Sequence, residues 1–168
     1  VGLNPTETTI AGALKDVGYT TKMIGKWHAG DQKEFLPTQH GFDSYFGLPY
    51  SNDMGRQVDD PATTDPERIE RLRARPPLPL IRDDEVVQEQ PDLRALTERY
   101  AEEAVRFIRD NKEGPFFLYF AHMYVHLPLY APEPMVDASE NGDYGACVAG
   151  VDWVTEVLMD ELKRQGLD

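Results

Sequence analysis

The sequence of 168 residues has one cysteine, a shortage of basic side chains and no long apolar run. A single cysteine, Cys147, cannot form a disulfide within the chain, so the redox compartment stays open. The chain has 17 basic and 30 acidic residues, and its net charge of −13 argues against nucleic acids and anionic membrane surfaces as partners. No apolar stretch has the length that crosses a bilayer. A small anionic ligand remains compatible, because local positive charge can oppose the overall sign.

The composition is that of a folded chain, with 28% charged and 40% hydrophobic residues. The first residue is Val1 rather than methionine, and no signal-peptide pattern follows it. The chain stops at Asp168, shortly after a glycine of the kind that ends helices. We therefore expect residues 1–168 to be part of one larger domain, and the cellular compartment stays unassigned.

Hydrophobic periodicity divides the first 30 residues into a helix and a strand. Apolar side chains spaced three and four apart predict a helix over about 10–17, capped by Thr8 or Thr9 and ended by Gly18. A β-prone run over 19–24 predicts a strand directly after the helix. The sequence GKWHAG follows at the carboxyl end of that strand, the edge at which open α/β sheets bind ligands.

The second half of the chain repeats this order of elements. We expect a helix over about 92–111, a strand over 116–121 and a last helix over about 143–165. The strand is a continuous apolar run, FFLYFA, which is typical of a strand buried on both faces of a parallel sheet. Alternating helices and strands predict an α/β fold.

Residues 56–91 differ in composition from the rest of the chain. They are rich in proline and charged side chains, which predicts a long loop or insertion with little regular structure. Two roles remain open for this segment: a loop that contacts the substrate, or a solvated connector without a function of its own.

The two predicted strand ends carry a lysine and three histidines. Lys26 and His28 follow the first strand, and His122 and His126 follow the later one. Lysine supplies a fixed positive charge and histidine exchanges a proton near neutral pH. Side chains two apart on extended backbone share a face, which places Trp27 on the opposite face, toward the core. The pattern alone leaves a purely structural role open for each of them.

The motifs in their order resemble those of the type I sulfatases, the arylsulfatase family within the alkaline-phosphatase-like superfamily. The resemblance covers nearly the whole chain outside 56–91, and the GKWH-x-G and GFD-x-(F/Y)-x-G-x-PYS signals are specific. The matching stretches are TIAGALKDVGYTTKMIGKWHAG (9–30), Leu36-Pro37, GFD (41–43), GLPYSND (47–53), PFFLYFAHMYVHLP (115–128) and residues 145–166.

The resemblance implies a fold and a reaction. The expected fold is part of an alkaline-phosphatase-like sandwich, with a mostly parallel or mixed central sheet flanked by helices. The expected reaction is hydrolysis of sulfate esters by a formylglycine nucleophile, with a calcium ion that binds the sulfate. The expected partners are a sulfated small molecule or glycan and, for the full-length protein, the formylglycine-generating machinery.

By motif position, the resemblance also assigns roles to side chains. Lys26 corresponds to a lysine that touches the nucleophile and the sulfate, and His28 to a histidine beside the formylglycine hydroxyl. His126 corresponds to a candidate general acid near the leaving oxygen. Ser51 corresponds to a serine that supports this network. The resemblance does not fix a role for His122, which is a candidate for substrate contact or a purely structural residue.

Other residues fall outside the expected site. Cys147 lacks the C/S-x-P-x-R context of the nucleophile and is expected to be a small core residue. His40 is expected to be exposed, and Asp53 to hold a turn rather than to face the site. Asp152 is expected to make packing or capping contacts on the last helix.

The nucleophile and the calcium ligands are expected outside residues 1–168. We therefore expect the isolated chain to be inactive, without tight calcium binding, and with apolar sheet edges exposed.

Two alternatives remain open. One is a phosphoester hydrolase of the same superfamily, and the other is a catalytically dead paralogue that binds sulfated glycans. The identity of the nucleophile distinguishes them.

Overall fold

The computed structural model describes residues 2–56 and 64–168, which form a mixed α/β structure. The helices are α1 Ile10–Asp16, α2 Pro66–Arg73, α3 Leu96–Asn111, α4 Glu133–Ala138 and α5 Gly142–Gln165, and the strands are β1 Thr20–Lys26, β2 Ser44–Leu48, β3 Pro79–Arg82, β4 Glu85–Glu89 and β5 Phe116–Ala121. Short 3-10 turns lie at Lys33–Phe35, Pro37–Gln39 and Asn52–Met54.

The five strands form one sheet in the order β4-β3-β2-β1-β5. The three strands β2, β1 and β5 run parallel, and β3 and β4 add an antiparallel hairpin beside β2. Parallel strands end at the same edge, so the segments after β1, β2 and β5 meet there. The prediction of an α/β fold with a mixed central sheet is confirmed.

Two apolar clusters cover the two faces of the sheet. Successive side chains of a strand point to opposite faces, and Met23 and Ile24 accordingly lie in different clusters. Met23 packs with Tyr45 and with Ala11 of α1, whereas Ile24 packs with Tyr100 of α3. The central strand is therefore covered on both faces.

A buried group of charges holds α3 against the sheet. Lys22 of β1 and Arg82 of β3 both donate to the Glu103 carboxylate of α3, at 2.8 and 2.7 Å. Burial alone would raise the pKa of Glu103, but these hydrogen bonds outweigh it and lower the pKa to about 2. Glu103 therefore stays ionised and links α3 to two strands.

Residues 64–91 are more regular than the sequence predicts. They contain α2 and the β3–β4 hairpin, in which Leu80 is fully buried. Asp83 turns the hairpin with a φ of 56°, and its carboxylate accepts a hydrogen bond from the Tyr45 backbone. The prediction of a loop was wrong here, because its strands are short and one begins with a proline. Residues 57–63 of that prediction lie outside the described residues.

The strand β5 is less buried than its apolar sequence predicts. It lies at one end of the sheet order, and all six of its residues are at least partly exposed, with Tyr119 at 46%. The prediction that the strand over 116–121 is buried on both faces is therefore wrong. Apolar side chains are exposed at this edge instead.

Candidate functional site

Backbone hydrogen bonds join the segments that follow β1 and β2. The Trp27 and His28 amides donate to the carbonyls of Leu48 and Pro49, both at 3.0 Å. These bonds continue the parallel pairing of β1 and β2 beyond the last residues of the strands. They fix the GKWHAG segment beside the segment that carries Ser51.

A side-chain bond connects the same region to the segment after β5. Asn52 is buried, and its amide Nδ2 donates to the Pro128 carbonyl at 2.9 Å. Pro128 lies two residues after His126. The loops after three parallel strands are therefore joined at one edge of the sheet.

Lys26 is the last residue of β1 and is partly buried. Within residues 2–56 and 64–168, no carboxylate lies within ion-pair distance of its ammonium group. By contrast Lys22, four residues earlier, forms an ion pair with Glu103. The Lys26 charge is therefore free to meet an anion at the ligand edge of the sheet.

Trp27 anchors this segment in the core, as the sequence predicts. Its indole Nε1 donates to the Phe35 carbonyl at 2.7 Å, and its ring stacks on His40 at a centroid distance of 5.9 Å. His28 does not follow the alternation on which its predicted orientation rests. Its φ of 61° lies in the left-handed region, so the argument that Lys26 and His28 share a face of extended backbone is wrong.

The side chains of Ser51, Asp53 and His126 form one group. The buried Ser51 hydroxyl donates to Asp53 Oδ1 at 2.5 Å, and His126 Nε2 lies 3.8 Å from the same oxygen. His126 Nδ1 is 2.6 Å from the Leu127 carbonyl oxygen. When the imidazole is protonated, both of its N–H groups therefore have an oxygen acceptor nearby.

Asp53 is the residue of this group that the sequence interpretation missed, because it was expected only to hold a turn. Its backbone carbonyl also accepts a hydrogen bond from the Arg75 guanidinium, which helps to fix the loop. A serine two residues before an aspartate at a strand end was the available signal. The contact with His126 depends on a loop distant in sequence and has no local signal.

His122 lies apart from the Ser51–Asp53–His126 group. It lines an apolar groove of about 390 Å³ between β5 and α5, with Leu158 among its neighbours. Its ring packs on Phe120 at 4.7 Å, and burial lowers the pKa of His122. Its predicted contact with substrate stays a prediction.

Two other residues of the sequence analysis lie in the core. His40 is 4% exposed and burial lowers its pKa, so the expectation of an exposed side chain was wrong. The cause is its stacking on Trp27, which a pattern of turn residues does not reveal. Cys147 is fully buried beside Ala131 and Ala146, and burial raises the pKa of its thiol. An inert core thiol is what the sequence predicts.

The described residues do not form a metal cage. Across 2–56 and 64–168, no three His, Cys, Asp or Glu side chains are placed to hold a metal ion. Calcium therefore does not fit a site built from these residues alone. In the same part of the chain, no helix is long and apolar enough to cross a membrane.

The profile of the Sulfatase family matches residues 1–168, and the chain belongs to that family. Arylsulfatase G of Rattus norvegicus is 34% identical over 175 residues, covering 96% of this chain and 33% of that protein. The N-acetylgalactosamine-6-sulfatase of Homo sapiens is 37% identical over 173 residues, covering 95% of this chain and 30% of that protein. The chain thus spans about a third of the length of the curated relatives it matches.

A solved structure supports the same assignment. The crystal structure of the PsFucS1 sulfatase from Pseudoalteromonas sp. superimposes with a TM-score of 0.86 at 27% identity. The match covers 98% of this chain and 36% of that chain. The resemblance that the sequence motifs indicate is therefore confirmed at the level of family and fold.

Proposed function

We propose that the protein hydrolyses sulfate esters and that this chain supplies the cationic and proton-transferring side chains of its active site. Membership of the Sulfatase family supports the reaction class. The observation that carries the proposal is the joined strand ends, which bring the Ser51–Asp53–His126 group and the Lys26–His28 segment to one edge.

Lys26 is proposed to bind the sulfate group. As the ester S–O bond breaks, the negative charge on the oxygens that surround the reacting sulfur must be stabilised. Among the described residues no carboxylate pairs with Lys26, and it therefore offers preorganised positive charge for that purpose.

His126 is proposed to protonate the leaving oxygen, and Asp53 to orient its ring. The leaving alcohol departs as a neutral molecule when a nearby acid delivers a proton, which is worth about 10²–10⁴ in rate. Asp53 touches the imidazole rather than the substrate and is thus a positioning residue, fixed in turn by the Ser51 hydroxyl. His28 is proposed to take and return a proton beside the nucleophile.

A formylglycine, when present in the full-length protein, would supply the nucleophile as a hydrated aldehyde. Cys147 is an unsuitable precursor because it lacks the C/S-x-P-x-R context of that nucleophile and lies buried in the core. The proposal therefore places the modified residue, and the calcium ligands of the family, outside the described part of this chain.

The test is an assay of the purified full-length protein on paired aryl esters. Sulfate and phosphate esters of the same phenol are compared, and peptide mass spectrometry determines whether a cysteine or serine has become formylglycine. Faster hydrolysis of the sulfate, together with the modified residue, is the expected result. Preference for the phosphate would instead support a phosphoester hydrolase. If the protein binds sulfated sugars but does not hydrolyse them, the proposed enzymatic function is rejected and a sulfated-glycan-binding function is supported.

The substrate class is proposed to be a sulfated sugar. One relative is named for its action on the 6-sulfate of N-acetylgalactosamine. This name supports a glycan as the substrate.

A further inference from the structure

A polar pocket of about 260 Å³ is built by both ends of the segment 56–91 and by the loop after β5. Arg56 and Gln90 come from the segment, Arg94 follows it, and Tyr130 comes from the loop. Two roles were left open for this segment, a substrate loop or a connector without a function, and both of its ends line a pocket.

This pocket lies close to the Ser51–Asp53–His126 group. Arg56 is three residues after Asp53, and three residues span at most about 10 Å. Arg75 bridges the two, since its guanidinium donates to the Asp53 carbonyl and its own carbonyl accepts from Arg56 Nε at 3.1 Å. Tyr130 likewise follows His126 by four residues. One ligand of oligosaccharide size can therefore reach both places.

The pocket is lined by two guanidinium groups, those of Arg56 and Arg94, and by one carboxylate, that of Asp92. In the described residues, neither Arg56 nor Arg94 lies within ion-pair distance of a carboxylate, whereas Arg82, Arg106 and Arg109 are paired with glutamates. The Arg94 guanidinium lies over the Tyr130 ring at 5.8 Å. Arg56 and Arg94 thus bring two guanidinium groups to one pocket in a chain of net charge −13.

The remaining polar groups of the pocket are used to build it. Gln90 donates from Nε2 to the Arg56 carbonyl at 3.2 Å and accepts from the Leu78 amide at 3.0 Å. Asp92 Oδ1 accepts from the Arg94 amide at 3.0 Å and so belongs to a local turn. Arg56 Nε is also used, because it donates to the Arg75 carbonyl, so the terminal nitrogens of Arg56 and the Arg94 guanidinium are the donors that remain for a ligand.

We propose that this pocket binds a second anionic substituent, a carboxylate or a further sulfate, on the sugar whose sulfate ester is cleaved. A guanidinium fork matches the paired oxygens of either group. The inference rests on the proposed sulfatase function and narrows its substrate class to glycans with at least two negative charges.

The test compares two substrates in the full-length protein. One is a monosulfated aryl ester, and the other is a sulfated disaccharide that also carries a uronate carboxylate. The variants are Arg56→Gln, Arg94→Gln and the double variant, and Arg68→Gln on α2 is a matched control because its side chain is exposed and does not line the pocket. The readout is the ratio of kcat/KM for the disaccharide to that for the aryl ester.

Each pocket variant is expected to lower this ratio about ten- to a hundredfold, chiefly through KM, and the control is expected to preserve it. Arg94 contacts Tyr130 in the loop that carries His126, so kcat/KM for the aryl ester is the check for a displaced His126: it should change little in the Arg94 variant. Equal losses on both substrates, or no loss on the disaccharide, would overturn the subsite.

Failure of the proposed function leads to a different result. If the unaltered protein cleaves no sulfate ester, disaccharide binding is measured by titration calorimetry in the same variants. Binding that weakens with Arg94→Gln would then support the pocket even as the hydrolase is rejected. If the disaccharide does not bind, or binds with the same affinity in the arginine variants, the proposed binding pocket is rejected.

Discussion

At the scale of single residues, the contact between Asp53 and His126 makes a specific kinetic prediction. Asp53→Asn keeps the shape of the side chain but removes the charge that holds a protonated imidazole. We expect kcat to fall about ten- to a hundredfold for esters with poor leaving groups and far less for nitrophenyl sulfate, which departs without a proton. The measurement is kcat across aryl sulfates of graded leaving-group basicity.

His126→Ala is the matched comparison for this experiment. It should give the same dependence on the leaving group, and the double variant should lose little more than His126→Ala alone, because the two residues act as a unit. A uniform loss over all leaving groups would show that Asp53 has only a structural role.

His28 gives a second residue-scale prediction. His28→Ala in the full-length protein is expected to lower kcat about 10²–10⁴-fold, since a proton transfer beside the nucleophile is lost. The side chain is exposed, so the thermal unfolding temperature should change little. Unchanged sulfatase activity would reject its assigned role.

Sequence motifs located the candidate site better than they described it. They predicted which residues follow the strands, because a lysine or histidine at a strand end is a local property. They did not predict the contact between Asp53 and His126 or the burial of His40 against the Trp27 ring. Both contacts join segments that are not adjacent in sequence. The roles of Lys26, His28, Ser51, His122 and His126 stay predictions.

At the scale of elements, Gly25 controls how closely β1 and β5 approach. Its φ is 106°, and a Cβ at this position would lie 1.8 Å from the Ala121 carbonyl oxygen. We expect Gly25→Ala to destabilise the protein by about 2–3 kcal/mol or more, or to prevent soluble expression. Chemical denaturation measures the difference.

Gly114→Ala is the control for this prediction, because a Cβ there meets no atom within 4 Å and its φ is not positive. It should leave the free energy of unfolding nearly unchanged. If Gly25→Ala had the same free energy of unfolding as the unaltered protein, β1 and β5 would be able to move apart without loss of stability, and the prediction would be wrong.

The elements that the sequence predicted correctly are the long or strongly periodic ones. The helices α1, α3 and α5 and the strand β1 follow from spacing and from glycine stops. The β3–β4 hairpin did not, because four- and five-residue strands with a leading proline lack a clear period. Their order in the sheet depends on pairing with β2, which no local pattern encodes.

At the scale of the whole molecule, two glutamates make the free energy of unfolding depend on pH in the acidic range. The pKa of Glu103 is about 2 despite burial, and hydrogen bonds from Arg109 lower that of Glu161 to about 2 as well. The ordinary pKa of a glutamate side chain, which applies in the unfolded chain, is 4.5. Their contribution is therefore complete above about pH 4.5 and is lost as the pH falls from there toward about 2.

Thermal unfolding between pH 7 and pH 2 checks this expectation. Glu103→Gln should cost about 3–5 kcal/mol at pH 7, because the Lys22 ammonium stays buried without its partner. The same variant should show a flatter acid limb. An acid limb as steep as that of the unaltered protein would mean that other carboxylates dominate.

The order of strands in the sheet also has a consequence for synthesis. The strand β1 meets β2 soon after it leaves the ribosome, but its other neighbour, β5, begins about 90 residues later. At ~5–20 residues per second, one edge of β1 waits about 5–20 s for its partner. Glu103, the partner of Lys22, is also made only late in that interval, and the apolar Met23 and Ile24 lie on the strand whose edge is unpaired. The hazard of aggregation during translation is therefore set by the chain length between two strands rather than by the stability of the finished fold.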